Sequence, residues 1–384
     1  MTDVTSGPDS MFCEMPRPSC AFLCSPALWQ SGHGASHPLR PERLRRTYEL
    51  LEGYNAFEKH DSLLVEPRPA TIEEICLFHT AKYVEVVQRL SAGEELPDYR
   101  CYGFGPGDNP VFPHMWEIES LKVGSAITGA EMLLSGDVST AFSFGGGLHH
   151  ADPERASGFC VFNDVAVAIH YLLRQGLRVT YIDIDAHHGD GVQRAFYETD
   201  QVLTISLHES GHYLFPGTGF VDEQGAGAGE GFCVNVPLPP YTTDELYLRV
   251  FEEVVIPMVE RYHPDIIVTQ LGIDTHYLDP LTHLCLTTRG YGAVIAGMRG
   301  LAPLWLALGG GGYDISVVPR AWTLAYGIMS GQEFPDKLPP AYVEKYGPGT
   351  LRDHQGPELD EKTLAQVEAR LGTLMSELRR AFHV

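Results

Sequence analysis

The chain has 384 residues, enough for one large α/β domain or two ordinary ones. Its 27 basic and 50 acidic side chains give a net charge of −23, which argues against a nucleic-acid partner, since phosphate binding needs basic patches. A hydrophobic content of 44% with 40 Gly and 27 Pro is that of a soluble, loop-rich globular protein.

Residues 1–19 carry acids and prolines without an apolar core, so they read as a flexible N-terminus and not as a signal peptide. Residues 20–384 read as a single domain. Strands are expected at 21–25, 62–66, 140–144, 178–185, 202–208, 233–238, 265–272 and 303–310. Between them, helices are expected at 41–54, 116–136, 162–176, 244–262 and 291–301. Near-continuous apolar strands alternating with helices imply a single-domain α/β fold, a mostly parallel sheet flanked by helices on both faces. The tail, about 361–384, spaces Leu364, Val367, Leu371, Leu374 and Leu378 as an amphipathic helix that packs on the body or forms an oligomer contact. Eight cysteines without a CxxC pair read as reduced thiols. No window approaches the roughly 18 apolar residues of a membrane span, so a cytoplasmic location is expected. The acidic surface serves solubility or attracts Lys-rich peptides.

In parallel sheets, functional residues gather beyond the carboxyl ends of the strands. Four such ends are chemically loaded: FGGGLHHA, DIDAHHGDG, GIDTHYLDP and GGGGYD. Asp185 and His187 form a DxH pair in extended backbone, where residues i and i+2 face the same way. Asp274 ends another strand and supplies a third ligand. Two carboxylates and one imidazole leave an open coordination position, the pattern of a catalytic zinc, and ferrous iron suits the same set. The plain alternative is a buried ion-pair network.

His149 and His150 follow a triple glycine. Each imidazole needs a partner to fix its tautomer, and Asp183 and Asp190 are unclaimed by the metal. Two His–Asp dyads beside an activated water would provide a general base and an electrostatic or acid partner. His188 reads as structural. Tyr313, after four glycines, places a phenol where it can polarise a carbonyl. The loop lacks the lysine of a phosphate-binding motif.

Together these motifs resemble the arginase-fold histone deacetylase superfamily, and within it the bacterial acetoin-utilisation type. The resemblance runs from about Ala21 to Gln332, on HPLRPERLRRTYELL, GPGDNPVFP, GGGLHHADPERASGFCVFNDVAVAI, YIDIDAHHGDGVQRAFYETD, ISLHESGHYLFPGTG, DTHYLDPLTHLCLT and LALGGGGY. It implies zinc ligands Asp185, His187 and Asp274, His150 with Asp190 as general base and acid, His149 with Asp183 as electrostatic partner, and Tyr313 as the carbonyl-polarising hydroxyl. It further implies Phe159 and Phe215 as walls of a narrow channel beside Gly158, and Asp108 as a rim residue that binds the substrate backbone. Structural potassium or sodium ions are implied too. One would lie at Asp183, Ser206 and the carbonyls of Asp185, His187 and Leu207, and a second at the backbone of Phe196, Thr199, Val202 and Phe232.

Where many relatives have a glycine-containing linker after the third ligand, this chain has His276 and Tyr277. His276 is expected at the rim of the mouth, with a second-metal ligand as the alternative. Leu281 stands where polyamine-specific relatives carry an acidic gatekeeper, which favours acetyl-lysine. The expected activity is hydrolysis of N-acetyl-lysine on a protein. The family name points to acetate or acetoin metabolism and an acetylated acyl-CoA synthetase as substrate, though no residue says so. The rivals are a small-amide or acetylpolyamine amidohydrolase, a two-metal ureohydrolase-like enzyme and a non-catalytic acetyl-lysine binder.

Overall fold

A computed structural model describes residues 19–384; the expected flexible segment lies outside these residues apart from Ser19. Eight strands form one sheet: β1 (Cys20–Leu23), β2 (Ser62–Val65), β3 (Thr140–Ser143), β4 (Val179–Asp183), β5 (Val202–Glu209), β6 (Cys233–Leu238), β7 (Ile266–Gln270) and β8 (Leu304–Leu308). Their spatial order is β2-β1-β3-β8-β7-β4-β5-β6, and every neighbouring pair is parallel. The expected strands are thus all present, with ends shifted by no more than two residues.

The helices are α1 (Glu42–Gly53), α2 (Ile72–Ile75), α3 (Ala81–Ser91), α4 (Met115–Ser135), α5 (Asp164–Arg174), α6 (Asp190–Phe196), α7 (Asp244–Val250), α8 (Ile256–Tyr262), α9 (Thr288–Met298), α10 (Val318–Ser330), α11 (Pro340–Tyr346) and α12 (Glu361–Phe382). Because side chains alternate along a strand, the sheet buries two layers. Phe22, Phe142, Ile182, Ile205 and Val234 face α7, α9 and α10. Leu23, Ala141, Tyr181, Val268 and Leu306 face α4 and α5.

The expected helix over 244–262 is interrupted. Residues Phe251–Val255 form a π-helical turn between α7 and α8. Pro257, in the first turn of α8, has no N–H to donate back into that turn, so the ladder shifts there. The tail helix starts on Asp360, whose side chain accepts from the Thr363 backbone. It buries Val367, Leu371, Leu374, Met375, Leu378 and Phe382 against the body. Leu371 and Leu378 are fully buried, each stabilising by roughly 1.5–3 kcal/mol. Among the described residues, no helix is long and apolar enough to cross a membrane.

Candidate active site

One row of the sheet runs Ser143, Leu308, Gln270, Asp183, Ser206, Asn235 across six adjacent strands. Five of these six are polar, and the row ends β3, β8, β7 and β4, while β5 and β6 run on for three residues. All strands are parallel, and every following loop therefore emerges on the same side.

Beyond β4 the chain does not stay extended as expected but bends through residues 185–187, and it carries Asp185 and His187 there. The His187 Nδ1 lies 3.1 Å from Asp185 Oδ1 and 2.9 Å from Oδ2 of Asp274, which follows β7. The three residues are buried, and their ligand atoms lie within 4.8 Å of one another. The remaining oxygens are held from behind. Asp185 Oδ2 accepts from Gln270 Nε2 (2.6 Å) and Gly311 N (2.7 Å), and Asp274 Oδ1 accepts from Ala186 N (2.7 Å). Gly311 has to be glycine, because a Cβ there would lie 2.2 Å from Asp274 Oδ2. Burial, reinforced by the charge of Asp185, pushes the Asp274 carboxyl well above its ordinary range. A divalent cation between these groups would remove that cost, and two oxygens and a nitrogen suit one. The donor set therefore fits a metal.

Loop 144–150 brings the histidine pair. His149 donates Nδ1–H to Asp183 Oδ2 at 2.7 Å, and His150 donates Nδ1–H to Asp190 Oδ1 at 2.8 Å. Their Nε2 atoms are 3.0 Å apart. Burial opposes charge on His149, but Asp183 and Asp185 outweigh it and lift its pKa to about 9. For His150, burial and the neighbouring His149 cation lower it to about 4. The two rings are thus driven apart, one kept as a cation and one as a neutral base.

Tyr313 follows the glycine turn, with its ring centroid 6.3 Å from that of His187 and 5.7 Å from that of Phe159, perpendicular to both. Its phenol is pushed well above 10 by burial and by Asp274 and Asp185, so the hydroxyl keeps its proton. Phe215, 45% exposed, stands edge-on to His150 at 5.1 Å. Gly158 also lies against that imidazole, since a Cβ would meet His150 Cδ2 at 2.4 Å. Phe159 adopts φ 70° and packs edge-on to His37. Asp108 is exposed, and its backbone carbonyl accepts from His37 Nε2. Leu281 is half-buried on the loop between Asp274 and α9.

His276 requires a correction. Instead of standing at the rim or ligating a second metal, it is buried, bonds Asp353 through Nε2 at 2.8 Å, and accepts from Leu278 N at Nδ1. Its DxH spacing would suit extended backbone, but the chain turns at residues 274–275 and sends the ring inward. His188 also turns inward, onto Thr218 and Gln193. Of the residues named for monovalent cations, Asp183 already accepts from Tyr181, His149 and the Asp185 backbone. Ser206 pairs with His208, and Leu207 is buried in β5. Phe196 ends α6, Thr199 lies in the following turn, Val202 opens β5 and Phe232 precedes β6.

Several supporting residues escaped the sequence reading. Asp164 accepts from the Gly147 and Leu148 backbones and so shapes the turn ahead of the histidine pair. Arg43 stacks on Trp322 and donates to the carbonyls of Gly310 and Gly312. Asp279 accepts from Tyr313 N, and Arg194 forks onto Asp190 Oδ2 while also reaching Asp152. Apart from Asp190 and Arg194, an i,i+4 pair on α6, these partners lie far apart in the chain and leave no spacing signal.

A family profile for the histone deacetylase domain matches residues 37–329. The chain is 40% identical to the acetoin utilization protein AcuC of Bacillus subtilis (strain 168) over 383 residues, covering 94% of this chain and 98% of that one. It is 40% identical to AcuC of Staphylococcus xylosus, covering 85% and 87%. A crystal structure of an HDAC homolog from Aquifex aeolicus superposes with TM-score 0.84 at 33% identity, over 93% of this chain and 99% of that one. The chain therefore belongs to the histone deacetylase family, hydrolases of amides that remove acetyl groups. Within that family it is a deacetylase of the AcuC type.

Proposed function

We propose that the protein hydrolyses N-acetyl-lysine side-chain amides on proteins, with zinc as its metal, and releases acetate. The observation that carries this reading is the two His–Asp dyads, His149–Asp183 and His150–Asp190, set beside three convergent ligands. Asp185, His187 and Asp274 would hold the ion, which supplies Lewis-acid polarisation of the amide carbonyl and acidifies a water. His150, neutral and oriented by Asp190, accepts the proton of the attacking water and returns it to the departing lysine amine. His149 remains cationic against Asp183 and stabilises developing negative charge. The Tyr313 hydroxyl donates to the oxyanion. Phe159 and Phe215 line the aliphatic stem, and Asp108 at the rim takes backbone amides of the substrate. The monovalent cation sites around Asp183, Ser206 and Phe196 belong to the same reading.

A two-metal ureohydrolase-like reading is disfavoured, because among the described residues three groups converge and His276 is committed to Asp353. An acetylpolyamine would find the apolar Leu281 in place of an acidic gate. The AcuC relatives suggest a setting in acetate or acetoin metabolism, with an acetylated acyl-CoA synthetase as one substrate to try. The test is acetate release from acetyl-lysine peptides and acetylpolyamines by chelated enzyme reloaded with zinc or ferrous iron, with bound metal counted. Peptide turnover with one ion per site is expected. Two transition-metal ions per site, or turnover of polyamines alone, would overturn the reading.

A further inference from the structure

Beside the channel walls the surface opens into a groove of about 550 Å3. Phe215 and Gly158 border it on the channel side, and Arg100, Arg155 and Asp108 line it. The local folding that brings the two arginines together is specific. Asp152 and Arg155 close a tight turn through paired backbone hydrogen bonds, and Ala156 N donates to Tyr102 O, which ties this turn to the one carrying Arg100. The stem of Arg155 lies over Gly103, where a Cβ would stand 2.9 Å from its Cγ. Asp152, the acid at the other end of this turn, is occupied by Arg194 at 2.6 Å. Among the described residues neither Arg100 nor Arg155 has a carboxylate partner; Arg100 lies 6.0 Å from the Tyr99 ring. Asp108 is the one carboxylate in the lining.

Two unpaired guanidinium groups at the mouth run against a chain whose net charge is −23. The bulk surface would attract Lys-rich partners, whereas this groove offers the opposite field within reach of the channel. We propose that the groove is a subsite for acidic side chains flanking the acetyl-lysine, so that the preferred substrates are acetylated protein segments with Asp or Glu near the modified lysine. This rests on the acetyl-lysine reading above and adds its sequence preference. Guanidinium groups pair with carboxylates through parallel N–H···O bonds, and Asp108 is left to take the backbone amides.

The test uses three acetyl-lysine peptides that differ only in carrying Glu, Gln or Arg at the second and third positions on either side. The Glu peptide is expected to exceed the Arg peptide in kcat/KM by about fivefold, or about 1 kcal/mol, mainly through KM. The ratio should shrink as salt screens the groove. In the double variant Arg100→Glu/Arg155→Glu the ratio should invert; because it is taken within one enzyme, any common loss of activity cancels. Equal kcat/KM for the Glu and Arg peptides, or a Glu preference that survives the double variant, overturns the subsite while leaving deacetylation standing. Failure to release acetate from any of the three overturns the acetyl-lysine reading and the subsite with it.

Discussion

Arg194 occupies a position from which it would act on His150, the proposed base, without touching it. It donates to Asp190 Oδ2 from both terminal nitrogens at 3.1 Å, while Asp190 Oδ1 accepts from His150. Burial alone would raise Asp190, but His150 and then Arg194 hold it below the usual carboxylate range. A carboxylate so satisfied is a weaker proton partner for His150, which helps keep that imidazole at about 4. As a base His150 is competent above that value, and activity falls as pH drops through it. The same depression means the unfolded chain binds a proton between 6.5 and about 4 that the folded chain refuses, so this group's contribution to stability is lost over that window as pH falls. Replacing Arg194 by Gln is expected to move the acid limb of the kcat/KM profile upward, toward 6.5, with Arg194→Lys shifting it less. An unmoved limb would show that Arg194 only anchors the Asp152 turn. Tyr313→Phe removes the proposed oxyanion donor and should lower kcat by about 100- to 1000-fold. His150→Ala should lower it by about 100- to 10,000-fold while circular dichroism stays unchanged. Much of this scale was legible in the sequence, because DxH, the His pair and the glycine-led tyrosine carry their chemistry in residue type and spacing. His276 misled for the same reason: it repeats the DxH spacing, but its partner Asp353 lies 77 residues away and nothing local announces it.

At the scale of elements, Asp353 is a fastener. Its carboxylate accepts from His276 Nε2, Thr288 N and Arg320, each at 2.8 Å, and its own N–H donates to Thr288. It thereby joins the loop after Asp274, the start of α9 and the first turn of α10. That loop also carries Asp279, whose bond to Tyr313 N sets the approach of the phenol. Asp353→Ala would strand a half-buried arginine and a buried imidazole, a loss of about 3–5 kcal/mol when one partner of a buried pair is removed. Lower stability in urea and a depressed kcat are expected together, with Asp353→Asn intermediate in both. Unchanged turnover in a destabilised variant would mean that the loop holds its shape without this fastener. Helices were less legible than strands. The expected span over 162–176 stands as α5, framed by its Asn163 cap and its apolar stripe. The residues of α10 are apolar on nearly every side, so no amphipathic stripe marks it; it is buried between the sheet and α1.

For the whole molecule, the buried ligand triad makes metal content a stability variable. An ion bound by the folded chain and not by the unfolded one stabilises by mass action, and its removal leaves Asp185 and Asp274 facing each other in the interior. Chelation is therefore expected to lower the Tm and zinc to restore it, read by calorimetry with and without the ion. A Tm indifferent to chelator would count against these residues as a metal site. All eight strands could be read from the sequence because strands buried on both faces are continuous apolar runs. Their order could not, since neither spacing nor composition says which strand lies beside which. That order bears on biosynthesis. The two strands made last, β7 and β8, sit in the middle of the sheet, between β3 on one side and β4 on the other. Until they leave the ribosome, the earlier strands can form only two separate ribbons, each with an open inner edge able to pair with another chain. The nascent protein thus passes through a stage in which both halves of its core invite aggregation, and it can gather Asp274 and Tyr313 with the residues around His150 only when the closing strands wedge in.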